Sequence, residues 1–365
     1  MTLVSCVPGV DRARSERKQG DGVTANTYLG TYTSADSAAT GIVAAEIDDS
    51  GRLRPTGRLA PATDPSFLAL APDRATVYAV REQRQGRVVA FRVRPDGTLT
   101  ELNSQPTQGS DPCHLAVHPN GRFLFAANYA SGDVVVYPLG EGGAVREPCH
   151  QAHHSGSGPN AQRQAGPHVH QVVVDPSGGR LLAVDLGTDT VSVYDIDRDS
   201  GHLALRSELA THAGAGPRHL AFLPSGTRFL LINELDSTVT ECGWDPATAT
   251  ATAYRTVSIV PESFTGTTLA AEIVVSPDGR YAFASNRGHD SLAVLDLQEG
   301  VAVREIVPAG VRGPRHMSLA RGGSVLVVAG ETSHTVQSFA VEAGALRAIG
   351  EPVPTPSPVC VLPVE

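Results

Sequence analysis

Two stretches of this sequence read alike, Gly216-Pro217-Arg218-His219 and Gly313-Pro314-Arg315-His316. Each sets a guanidinium beside an imidazole at the start of a short apolar run, and each is followed by a turn, a second run and a carboxylate, Glu234 or Glu331. A related opening, Pro167-His168-Val169-His170, carries two histidines, and Arg287 ends another run. Together these groups suit the opening or formation of a lactone. Glu234 or His170 would move a proton to or from water or substrate. Arg218 and Arg287 would grip a carboxylate or phosphate through paired hydrogen bonds and stabilise a developing oxyanion. Spacing alone leaves open which group is the base.

Other chemistries have less behind them. There is no G-x-S-x-G elbow, and Cys113, although near the proposed mouth, carries no sequence sign of activation. His150, His153 and His154, with His168 and His170, make a histidine-rich patch, but no H-E-x-x-H accompanies them. No metal and no cofactor is expected.

These residues recur because the segments carrying them recur. A module of strand, turn, strand and third strand appears six times, with central turns at Pro72, Pro119, Pro176, Pro224, Pro277 and Arg321. Their spacing of about 50 residues is that of four-stranded propeller blades. The segment from Thr27 supplies three further strands without an opening one, and Ser357–Leu362 reads as an opening strand with nothing after it. The expected fold is therefore all-β, a seven-bladed β-propeller with one blade closed by N- and C-terminal strands. Residues 26–365 form the propeller, and residues 1–25, polar and without periodicity, form a disordered leader. The histidine-rich segment 140–166 is expected to run as a surface excursion over one mouth.

In a propeller blade the innermost strand a and the next strands b and c run antiparallel, so the start of a and the end of b share one mouth of the channel. His170 and Arg218 start strand a in blades four and five; Glu234 and Arg287 follow strand b in blades five and six. All four then face the same mouth. Tyr32, Glu82, Asp185, His316 and Glu331 fall at equivalent positions. So do Arg315, His219, His168, Asn128, Glu272 and His114, which are expected to bind substrate. Taken singly, polar residues at strand ends are ordinary turn chemistry. Turn chemistry gives no reason for Arg and Glu to converge on a channel where they must be paired or desolvated.

Composition agrees. The chain has 365 residues, 37 of them Gly and 26 Pro, with only 5% aromatic content, which suits short strands and tight turns. A formal charge of −9 and the lack of a basic stripe argue against nucleic acid as a partner. No apolar run approaches the ~20 residues of a membrane helix, so no membrane association is expected. Five cysteines without C-x-x-C spacing suggest neither a disulfide framework nor a zinc ribbon, and a reducing cytoplasm is the simplest setting. The oligomeric state is not legible.

The residues as a set resemble the propeller lactonases, a family that includes bacterial 6-phosphogluconolactonase of the propeller type and fungal carboxy-cis,cis-muconate lactonizing enzymes. The resemblance runs from about Tyr28 to the C-terminus and rests on YLGTYTS, ANYASG, PHVHQVVVDPSG with DLGTD, GPRHLAF with NELDSTV, AAEIVVSPDGRYAFASNR and AGETSHTV. It implies a catalytic set of His170, Arg218, Glu234 and Arg287 without a metal, counting back from Pro176 favouring His170 over His168. The activity it implies is lactone hydrolysis on a small anionic lactone such as 6-phosphogluconolactone. A muconate-type cycloisomerase or biosynthetic cyclase is the alternative. In a different class, propellers also serve as non-catalytic binding modules, although the mouth residues here differ from blade to blade.

Overall fold

The structure, a computed structural model, describes residues 25–34 and 37–364. The leader expected over residues 1–25 lies outside the described residues except for Ala25, which is buried against the first blade.

Seven antiparallel sheets make up the ring. In the first, the C-terminal strand Pro358–Pro363 lies innermost, beside Thr27–Thr31, Gly41–Ile47 and Leu53–Pro61. Blades two to six run outward in sequence order, for example Pro217–Phe222, Arg228–Asn233, Thr238–Asp245 and Thr250–Ser258 in blade five. Blade seven ends with Ala345–Ala348 and Val353–Pro354 sharing the outer edge of Thr335–Glu342. The innermost strands touch all the way round, including Pro314–Ala320 with Pro358–Pro363 and Pro358–Pro363 with Leu68–Leu70, so the ring is closed.

Continuous apolar runs make the second strands. Phe123–Asn128 and Val325–Gly330 are buried along their whole length because neighbouring blades cover both faces of each sheet. The outermost strands, such as Thr250–Ser258, are mostly exposed. The core is accordingly divided into seven clusters, one at each interface between adjacent blades. No blade buries its faces alone.

One irregularity repeats and positions the site. In the innermost strands of blades three, four, five and seven, pairing with the second strand skips Cys113, His170, Arg218 and Arg315. Such a bulge leaves one residue unpaired and re-aims its side chain. Strict alternation would put Arg218 and His219 on opposite faces; with the bulge both line the channel, as do Arg315 and His316.

The histidine-rich segment departs from expectation. His150–His153 is not a surface excursion but the outermost strand of blade three, paired with Asp133–Pro138. Its sequence, HQAH, has none of the β-branched or aromatic content that marks a strand. Only residues 154–166 cross toward the mouth.

Candidate active site

The rim is formed where the second strand of a blade ends: Tyr32, Glu82, Tyr129 and Glu234 follow it directly in blades one, two, three and five, and Arg287 is its last residue in blade six. Below them come the bulged residues Cys113, His170, Arg218 and Arg315. The last tier holds His114, His219, Glu272 and His316. Rim and bulge residues enclose a cavity of about 180 Å³. A void of about 10 Å³ lies between the bulge tier and the imidazoles, and Glu82, Cys113, His170 and Arg315 line both spaces. A larger cleft of about 450 Å³ opens between Gly86 and Ser110 on the rim of blade two, and none of the clustered residues lines it.

Glu234 is surrounded by positive charge. Its Oε2 lies 2.9 Å from Arg218 Nε and 2.8 Å from Arg287 Nη2, while Oε1 accepts from Arg163 Nη2 at 2.6 Å. Burial pushes this carboxyl up, but Arg287, Arg218 and Arg163 together outweigh burial and hold it at about 2. The arginines are fixed in turn. Arg218 Nη1 donates to Ala271 O at 2.5 Å and Arg287 Nη2 to Ala270 O at 3.1 Å. Across the cavity Arg315 donates to the Tyr32 hydroxyl at 2.8 Å, and that hydroxyl donates to Glu82 at 2.9 Å. Burial raises the Glu82 carboxyl, with Arg315 opposing.

Arg163 comes from the crossing loop, and its aim has a local cause. The neighbouring Gln164 is fully buried and donates to Leu186 O at 2.9 Å and to Asp189 Oδ1 at 2.7 Å. The start of the crossing is pinned by Asp185, which accepts from His154 Nδ1 at 2.8 Å and from the backbone N–H of His168 at 2.8 Å. Asp185 therefore holds the loop and does not line the cavity.

The imidazole tier is neutral. Burial, then Arg218 and neighbouring groups, push His170 and His219 well below the ordinary histidine value. Burial holds His316 at about 4, although Glu272 opposes it. His219 donates from Nδ1 to the Glu272 carboxylate at 3.0 and 3.1 Å, and His316 Nε2 lies 3.4 Å from the same group. His170 Nδ1, His219 Nε2 and His114 Nδ1 are buried without a hydrogen-bond partner. Burial pushes the Cys113 thiol upward, and its Sγ lies 3.4 Å from the His170 carbonyl, an unreactive setting for a thiol.

The structure thus brings His170, Arg218, Glu234, Arg287 and Arg315 together, with His219, Glu272 and His114 directly beneath. His168 is not with them: its ring stacks on Tyr129 at 4.5 Å and Nδ1 bonds the Tyr129 carbonyl at 2.9 Å. Nor is Asn128, which is fully buried and donates to Thr107 O and Asp133 Oδ1 at 3.2 and 2.6 Å. Asn286 does the same work in blade six, donating to Ile259 O and Ser291 Oγ. An asparagine at the strand end ties its own turn, and the residue one further on faces the cavity. Tyr129 was overlooked by that one step. Arg163 had no signal, since no repeat contains it. Among the described residues no group of histidine, cysteine and carboxylate side chains could hold a metal ion, and no helix is long and apolar enough to cross a membrane.

A closed ring of seven sheets with arginine, glutamate and histidine gathered at one mouth defines a propeller with an enzyme-like pocket. Residues 26–363 match the family described as lactonase, 7-bladed beta-propeller, and the chain belongs to that family. It is 32% identical to a 6-phosphogluconolactonase of Bacillus subtilis over 342 residues, 92% of this chain and 97% of the relative. Among solved structures, a Lactobacillus plantarum protein superposes with a TM-score of 0.89 at 30% identity, covering 94% of this chain and all of that one. A periplasmic gluconolactonase of Pseudomonas aeruginosa superposes with a TM-score of 0.85 at 29% identity, over 93% and 99% of the two chains.

Proposed function

We propose that this chain hydrolyses a small anionic sugar lactone, with 6-phosphogluconolactone the first substrate to test. The observation that carries the reading is the pairing of a cavity of about 180 Å³ with Arg163, Arg287 and Arg315 on its wall. The names of the Bacillus subtilis and Pseudomonas aeruginosa relatives support the same chemistry. Free thiols at Cys113, Cys149, Cys242 and Cys360 suit a reducing cytoplasm.

The roles divide by pairing and position. Glu234, held at about 2, stays ionised and has little affinity for a proton, so it orients the arginines and is not the base. His170 is pushed down too, but it is a neutral imidazole on both cavity walls without an arginine bound to it, and by that position it takes the proton of the attacking water. The water oxygen bonds to the lactone carbonyl carbon, and Arg287 or Arg315 stabilises the oxyanion that forms. The bond from that carbon to the ring oxygen then breaks, and the proton on His170 passes to the departing alkoxide. The remaining arginines hold the remote anion.

The test is acid release from 6-phosphogluconolactone, gluconolactone and a muconolactone panel by the purified protein, each against its spontaneous rate. Acceleration of the phosphorylated lactone above the others is expected. No acceleration of any lactone rejects the reading, and equal rates with and without phosphate reject the anion anchor.

A further inference from the structure

Beneath the substrate cavity, His219 is held in a way that His170 is not. Both of its nitrogens are buried, and its Nδ1 faces both oxygens of Glu272. Glu272 is fixed in its turn, accepting the Ile273 N–H at 3.1 Å. With a carboxylate on Nδ1, the proton of the neutral ring sits there, and Nε2 is left as a lone pair. That lone pair has no partner in the protein. The His170 and His219 rings stand 5.1 Å apart, nearly edge to face, and both line the void of about 10 Å³. Ser66 also lines the void, its hydroxyl turned to the Glu82 carboxyl.

Leaving such acceptors dry is unfavourable, because each has given up water and gained no partner in return. A space of this size holds about one water, and a buried water needs two to four polar partners. His170 Nδ1 and His219 Nε2 are enough to hold one. We infer that this void is the seat of the nucleophilic water, held between His170 and His219, and that Glu272 is the positioning residue that keeps the His219 lone pair turned toward it. The water gives one hydrogen bond to each imidazole, and its oxygen lone pair faces the cavity above. When the carbon–oxygen bond forms, the proton goes to His170, as in the hydrolysis just described, and His219 keeps its bond to the second proton. The catalytic part of this inference rests on the lactone reading; the water site itself does not.

Two measurements test it. A high-resolution crystal structure of the substrate-free protein is expected to show an ordered water bonded to both His170 and His219. An empty void, or a water bonded to neither ring, overturns the site whatever the substrate proves to be. In the kinetic measurement, His219→Asn keeps a donor for Glu272 and loses the Nε2 acceptor, while His219→Gln places an amide near the Nε2 position. His219→Asn is expected to lower kcat roughly 10- to 100-fold with KM within about twofold, the cost of a misplaced reactant, and His219→Gln to recover part of that loss. Glu272→Leu is expected to behave like His219→Asn, and Glu272→Gln to keep most of kcat because its amide carbonyl still accepts from Nδ1. A raised KM at unchanged kcat would make His219 a substrate subsite and overturn the role, as would parent-like rates in His219→Asn. If the parent opens no lactone, the hydrolase reading and the catalytic role fall together, and the crystallographic result still decides the water site.

Discussion

Glu234 and Glu272 are both buried, 2% and 5% exposed, and both close to the same channel axis, yet their surroundings push them in opposite directions. Burial acts on both. Around Glu234 three guanidinium groups outweigh it, whereas around Glu272 burial prevails over His316, the single guanidinium of Arg218 and the Ile273 N–H, raising the carboxyl. Partner chemistry therefore decides the direction of the shift where depth does not. The rim becomes a fixed array of charge, and the tier below becomes a set of neutral rings with lone pairs to spare.

The sharpest way to break this contrast is to make the same substitution in both places. Glu234→Gln leaves Arg218 and Arg287 without their counter-charge, so stability should fall by roughly 3–5 kcal/mol, as when one partner of a buried pair is removed. The urea midpoint measures it. Acid should do nearly as much to the parent. Glu234 is depressed from an unfolded value of about 4.3 to about 2, so its contribution is complete above the unfolded value and vanishes as pH falls through the folded one. Roughly 3 kcal/mol should be lost between about pH 4.5 and pH 2, and denaturation at stepped pH should show Glu234→Gln without that limb.

Arg163→Ala sharpens the picture more gently. Its side chain is 33% exposed, so the stability loss should stay near 1 kcal/mol, while KM for a phosphorylated lactone rises about tenfold, the equivalent of 1.4 kcal/mol in binding. A larger stability loss without a change in KM would make Arg163 a purely structural residue. The smallest effect belongs to Glu272→Gln. A raised carboxyl favours folding in its protonated form, and that advantage is lost as pH rises above the unfolded value, so at pH 7 a neutral isostere should leave stability within about 1 kcal/mol of the parent or improve it. A loss matching that of Glu234→Gln would erase the distinction between the two carboxylates.

Repetition made the ring legible in sequence. The turns from Pro72 to Arg321 mark six blades, and the unpaired segments at Thr27 and Ser357 announce the seventh. The same repetition placed His170, Arg218, Glu234, Arg287 and Arg315 at one mouth. It failed where structure departs from alternation or from the repeat. The bulges that turn both Arg218 and His219 into the channel depend on pairing across strands, which no local pattern records. Asn128 looked equivalent to Glu234 but is one residue short of the rim, because asparagine suits the turn itself. Arg163 lies in a stretch without periodicity, aimed by the contacts of Gln164 with residues that follow it in the chain.

The pairing of Thr27–Thr31 with Pro358–Pro363 sets an order of events during biosynthesis. Pro358–Pro363 is made after every other described strand, so until it is made a nascent chain leaves the inner edge of Thr27–Thr31 unpaired and the ring open. Such edges invite pairing with other chains. Conditions that delay synthesis of residues 358–363, or that occlude them, should therefore favour aggregation during production more than loss of stability in protein already folded.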